Sequence, residues 1–170
     1  VKQDVIDTVL EWYHVYKNGL YGYVYSLLGN HSDTEDVLQE VFVSIVRLEN
    51  KVFAIRHPKT YLYRAVRNEA MRILKKRNGN PFSLELMACE PGNPDPGERE
   101  LITKDMATHM LEQLKPADRE IVVMHIYDGM SFKEIASVTG RFLPSIATRY
   151  YRALKQMKSL YETEYEDYHT

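Results

Sequence analysis

Arg149 and Arg152 stand one helical turn apart in a stretch, Arg141 to Lys158, that holds five basic residues (Arg141, Arg149, Arg152, Lys155, Lys158) and no acidic one. A guanidinium presents a planar fork of donors, so such arginines suit phosphate oxygens and the paired acceptors on the edge of a guanine. A denser basic set lies upstream. From Arg47 to Asn80 ten basic residues (Arg47, Lys51, Arg56, Lys59, Arg64, Arg67, Arg72, Lys75, Lys76, Arg77) stand against only Glu49 and Glu69. Within it Arg64, Arg67, Asn68, Arg72 and Lys75 recur at helical spacing, a face able to track a strand of polyanion. Asn68 and Tyr61 add an amide and an aromatic ring to this helix, after a loop from Val52 to His57. Tyr61 also reads as core, since it shares the stripe of Leu62 and Ala65. Asp33, Glu35, Asp36 and Glu40 make the opposite kind of surface, which would repel nucleic acid and complement a basic protein partner. On the residues alone, those carboxylates equally fit a solvated face that favours a helix N-terminus.

Bond-making chemistry has no comparable support. There is no HExxH pair, no phosphate-binding glycine loop and no Ser/His/Asp set in a supporting context, so neither catalytic residues nor a cofactor are expected. The six histidines are scattered and Cys89 is the single cysteine, which leaves no zinc-ligand spacing and no internal disulfide. No run of about 18 apolar residues and no charged-then-apolar leader is present, so the expectation is a cytoplasmic chain without membrane insertion. The net charge of −2 conceals a sharp partition. Two basic patches are separated by an acidic stretch holding nine carboxylates between Glu85 and Glu120. This pattern implies two contacts with one polyanion.

The elements that must position these residues read as helices throughout, an all-α fold of two helical domains joined by a flexible linker. A Tyr-rich helix spans about 4 to 28, with Gly19 and Gly22 as weak points and Gly29-Asn30 closing it. Two helices read as capping boxes, each with Ser at the N-cap and Glu three residues on: one starts at Ser32 with Glu35, the other at Ser131 with Glu134. The first buries Val37, Leu38, Val41, Phe42, Ile45 and Leu48 over residues 33 to 48. Pro58 fits the first turn of the basic helix, which runs to about Arg77 and buries Leu62, Ala65, Val66, Ile73 and Leu74. Residues Asn78 to Gly97 are crowded with proline and glycine and carry the boundary, giving domains over 1–78 and 98–170 with a linker over 79–97. Further helices are expected near 98 to 114, 117 to 127, 132 to 138 and 144 to 161, with Tyr161 to Thr170 as a frayed end.

The last two form a helix-turn-helix: Ala136 keeps the first helix thin at the crossing, Gly140 permits the turn, and Ile146 packs the second helix back. Ile146, Tyr150, Leu154 and Met157 make the buried stripe, so Ser145, Thr148, Arg149, Arg152 and Lys155 are left to meet phosphates and base edges.

Taken in order, Asp33 to Phe42, then Pro58 to Asn68, then Leu111 to Ile121, Gly129 to Ala136 and Ser145 to Leu154 resemble the sigma-70 family of bacterial RNA polymerase factors. They match its regions 2.2, 2.3–2.4 and 4, in the two-region layout of the extracytoplasmic function group. The resemblance covers roughly residues 20 to 160, and the ordered match is far more specific than either half. It implies that the chain binds core RNA polymerase through Asp36, Gln39, Glu40 and Phe42. It also implies a minus-ten promoter contact through Tyr61, Arg64, Arg67, Asn68, Arg72 and Lys75, and a minus-thirty-five contact through Ser145, Thr148, Arg149, Arg152 and Lys155. An anti-sigma factor is a further partner that the resemblance admits. Departures are visible. Tyr61 stands where the family commonly has Trp, Ala147 where many relatives have Lys or Arg, and Pro144 where Gly is common. Two readings of other classes stay open: a sigma-shaped scaffold that binds only proteins, and a stand-alone helix-turn-helix regulator.

Overall fold

The computed structural model describes residues 2–78 and 106–169, and every regular element among them is helical. The N-terminal half consists of α1 (Gln3–Leu28), α2 (His31–Val46), a 3-10 segment (Glu49–Ala54) and α3 (Pro58–Asn78). The C-terminal half consists of α4 (106–112), α5 (Pro116–Val122), a π-helical turn (Val123–Tyr127), α6 (Phe132–Thr139) and α7 (Leu143–His169). The expected linker residues 79–97, with Cys89 and the acids Glu85, Glu90, Asp95 and Glu98, and the start of the helix expected near 98 lie outside the described residues.

Local chemistry accounts for most boundaries. Gly29, at φ 75°, closes α1 by donating its N–H to the Tyr25 carbonyl, a left-handed cap that glycine adopts without Cβ strain. The cap of α2 is Asn30, not Ser32. The Asn30 side-chain oxygen accepts from the Asp33 N–H at 2.8 Å, and its amide donates to the Asp33 carboxylate at 2.9 Å. Because Gly29 reverses the chain at once, α2 begins two residues earlier than expected and ends two earlier, at Val46. The cap at Ser131 is as expected, its hydroxyl accepting from the Glu134 N–H at 3.1 Å. α1 runs unbroken through Gly19 and Gly22. The helix expected over 117 to 127 changes pitch after Val122 and ends at Asp128, whose N–H reaches the Val123 carbonyl. α7 continues past Tyr161 to His169, longer than the expected 144 to 161.

One apolar core runs through both halves. Val5, Leu20, Tyr23 and Val24 of α1, Val37 and Ile45 of α2, and Leu62, Tyr63 and Val66 of α3 join Ile121, Met124, Met130, Ile135 and Ile146 from the C-terminal half. A small satellite of Leu114, Val122 and Ala153 fastens α5 to α7. Leu62, Val66, Ile121, Met124 and Ile135 are fully buried, and burial of such side chains is worth roughly 1.5–3 kcal/mol each. The two halves are therefore docked by core packing as well as by surface contact.

Candidate nucleic-acid and protein interfaces

α2 carries the acidic face. With Thr34, Val37, Leu38, Val41, Phe42 and Ile45 turned inward, Asp36, Gln39 and Glu40 are left exposed on the other side. They line a shallow groove with Val43 and with Glu69, Arg72 and Ile73 of α3. Phe42, expected both in the buried stripe and at the polymerase contact, is 9% exposed and packs edge-on against Tyr13, ring centres 5.1 Å apart. The apolar stripe that buries Leu38 and Val41 claims Phe42 too, so it supports the face from beneath.

The basic helix α3 is split by its packing. Arg67 turns into the interface between the halves, where its Nε donates to Glu120 Oε1 at 2.6 Å and the Tyr23 hydroxyl donates to the same oxygen at 2.5 Å. Glu120 is 1% exposed. A carboxylate so deep in the protein is tolerable only because a cation and a hydroxyl satisfy it. Burial first, then the Glu120 charge, pushes the Tyr23 phenol well above its ordinary range, so it is a neutral donor. Arg64 reaches across as well, donating to the Ser137 carbonyl at 3.1 Å and hydroxyl at 2.6 Å. Lys59 donates to the Asp128 carbonyl at 2.6 Å. The expected single face of Arg64, Arg67, Asn68, Arg72 and Lys75 is thus divided. Arg64 and Arg67 serve the junction with the C-terminal half, and Asn68 and Lys75 are exposed. Arg72 pairs with Glu69 at 2.5 Å beside the acidic groove. Tyr61 is half-buried against the core, and also lines an open cleft between the halves with His57, Lys59, Arg64, Lys133 and Ser137. Tyr63, two residues on, is the fully buried tyrosine of this helix.

In the helix-turn-helix, Gly140 at φ 70° turns the chain between α6 and α7 and Ile146 is completely buried. Thr148 and Lys155 stay at the surface, and Ser145 is half-buried. Arg149 and Arg152, expected to project freely, both donate to Asp118 of α5: Arg149 Nη1 to Oδ1 at 2.9 Å, Arg152 Nη2 to both oxygens at 3.0 Å. Their side chains remain 30% and 54% exposed over a carboxylate that is 2% exposed. Arg141, counted above with the basic run, is partly buried; burial lowers its pKa, and the charge of Glu120 acts against that. The sequence reading missed Asp118, and it missed two large exposed side chains, Phe142 at 77% and Tyr151 at 63%. Tyr151 was readable, since it falls outside the Ile146–Tyr150–Leu154 stripe. Asp118 was not, because an acid near a helix start reads as a solvated one.

A helix-turn-helix with a basic second helix, preceded on the same core by an acidic-faced helix and a basic one, is the architecture of a DNA-binding protein. Residues 12–79 match the family described as Sigma-70 region 2 and residues 104–157 match Sigma-70, region 4. The chain belongs to the sigma-70 family of RNA polymerase sigma factors, in its extracytoplasmic function group. It is 27% identical over 147 residues to RNA polymerase sigma factor SigV of Bacillus subtilis (strain 168), spanning 84% of each chain. To the ferric citrate uptake sigma factor FecI of Escherichia coli (strain K12) it is 28% identical over 118 residues, 67% of this chain and 68% of the relative. Its fold is similar to that of the sigma factor RpoE solved with the anti-sigma factor NepR from Bartonella quintana, with TM-score 0.69 and 20% identity over 95% of this chain and 98% of that one. No helix among the described residues is long and apolar enough to cross a membrane.

Proposed function

We propose that this sigma factor binds core RNA polymerase through the exposed Asp36, Gln39 and Glu40 face, with Phe42 as its buried support. Residues 1–78 would serve as the region 2 domain, 79–97 as the connection and 98–170 as the region 4 domain. Asn68, Lys75 and Arg72, together with Tyr61, Arg64 and Arg67, would engage the minus-ten element, and Ser145, Thr148, Arg149, Arg152 and Lys155 the minus-thirty-five element. The role is that of a cytoplasmic initiation factor, which supplies recognition while the polymerase supplies the chemistry. The observation that carries the reading is the order of surfaces on one chain: an acidic helix face, a basic helix, then a helix-turn-helix whose second helix is basic.

The docked halves add a condition. Arg64 and Arg67 become available to a DNA strand only when α3 parts from α5 and α6, because their donors are otherwise held by Ser137 and Glu120. An anti-sigma partner that favours the docked state would oppose promoter binding, and such a partner is part of the proposal. Run-off transcription with purified core polymerase and a promoter library tests the whole reading. The expected outcome is selective initiation that Asp36→Lys or Glu40→Lys reduces through weaker polymerase capture, with folding intact. Polymerase binding without promoter-dependent transcripts would favour a scaffold. Operator binding without polymerase would favour a stand-alone regulator.

A further inference from the structure

The recognition-helix arginines are held from behind. Asp118 sits on α5 with its carboxylate 2% exposed, and it accepts from one nitrogen of each guanidinium, Nη1 of Arg149 and Nη2 of Arg152, while the two side chains stay 30% and 54% exposed. Among the described residues no other acceptor takes the remaining N–H groups of Arg149 or Arg152. The platform under Asp118 is itself pinned. The next residue, Arg119, donates from Nε to the Leu111 carbonyl at 2.9 Å and from Nη2 to the Leu114 carbonyl at 3.0 Å. The one after that, Glu120, is bound by Arg67 and Tyr23. Three consecutive charged residues are buried, and each ties α5 to a different element.

We propose that Asp118 is a positioning residue for base reading: it fixes the spacing and orientation of the free edges of Arg149 and Arg152 before DNA arrives. This rests on the assignment of α7 as the DNA-reading helix. An arginine that reads a guanine must present two donors in one plane, and a long unanchored side chain loses rotamer freedom to do so. A buried carboxylate removes that freedom in advance, while its desolvated charge is balanced by two cations. The same carboxylate opposes phosphate attraction, since it subtracts a charge from the basic face. Discrimination between sequences and plain adhesion to DNA therefore respond to Asp118 in opposite directions, which a merely structural role would not produce.

The test uses the full chain assembled with core polymerase and a preferred upstream element selected from random DNA. Asp118→Asn keeps the shape and removes the charge. The ratio of binding to matched over scrambled elements should fall by about tenfold, while binding to scrambled DNA is unchanged or tighter. In an Arg149→Ala/Arg152→Ala background the substitution should cause no further loss of discrimination. Asp118→Glu keeps the charge but moves the arginines outward by a methylene, and discrimination should fall there too. Equal loss on matched and scrambled DNA, an undiminished ratio in either single variant, or the same effect of Asp118→Asn with both arginines removed overturns the proposal. If the unsubstituted protein fails to discriminate between any elements, the DNA-reading assignment itself is what fails.

Discussion

Asp128 shows how a single position carries both packing and charge. Its carboxylate meets the Tyr63 hydroxyl, with Lys59 close by, and its Oδ2 is buried with no hydrogen-bond partner. Desolvation raises its pKa to about 6 from the ordinary 3.8, against the lowering effects of Tyr63 and Lys59. The unfolded chain releases this proton first, so the group's contribution to stability falls as pH rises from about 4 to about 6 and stays lost above that. Asp128→Asn should remove the dependence while keeping an acceptor for Tyr63. The gain in melting temperature over the unsubstituted protein should be larger at pH 7 than at pH 4.5, and an equal gain at both would contradict the shifted carboxyl. Gly19 belongs to the same arrangement. A Cβ there would lie 2.6 Å from the Tyr63 hydroxyl oxygen and 3.3 Å from Asp128 Oδ1, so Gly19 is the space that lets the pair approach α1.

At the scale of elements, α3 has two duties that compete for the same side chains. Its apolar stripe, Leu62, Tyr63, Val66, Ala70 and Leu74, fixes its rotation, and that rotation aims Arg67 at Glu120 and Arg64 at Ser137. The two contacts differ in energy because they differ in depth. Arg67→Ala strands a carboxylate that is 1% exposed and should cost about 3 kcal/mol. Arg64→Ala removes the donor to the Ser137 carbonyl and hydroxyl, which lie at the surface where water replaces it, and should cost under about 1 kcal/mol. Urea unfolding of both variants checks the difference, and similar costs would mean that Glu120 finds another partner when Arg67 is absent.

For the whole molecule, the shared core has a consequence that two separate domains would not. Val66 and Tyr23 from one half and Ile121 and Ile135 from the other belong to one buried cluster, and Tyr23, Arg67 and Glu120 close a polar network inside it. Cutting the polypeptide at a protease site engineered within 79–105 should therefore leave two fragments that co-elute under native conditions. Arg67→Ala should shift them toward separation. Fragments that elute apart without the substitution would show that the packing between halves is too weak to hold them.

Much of this was legible in the order of residues. Apolar residues at three- and four-residue spacing forecast the helices and the buried stripe of α2, because a helix repeats every 3.6 residues and must bury one side. Gly140, Ala136 and Ile146 identified the helix-turn-helix, and the uneven charge identified the faces left to solvent. The placement of Arg67, Arg149 and Arg152 was decided only by tertiary structure. A charged side chain's partner depends on what another element brings alongside: Glu120 is 53 residues from Arg67, and Asp118 is 31 residues from Arg149. Local pattern specifies which side of a helix is polar, because that depends on residues a few positions apart. Whether that side meets DNA, a protein or a carboxylate of the same chain is set by packing between elements distant in sequence.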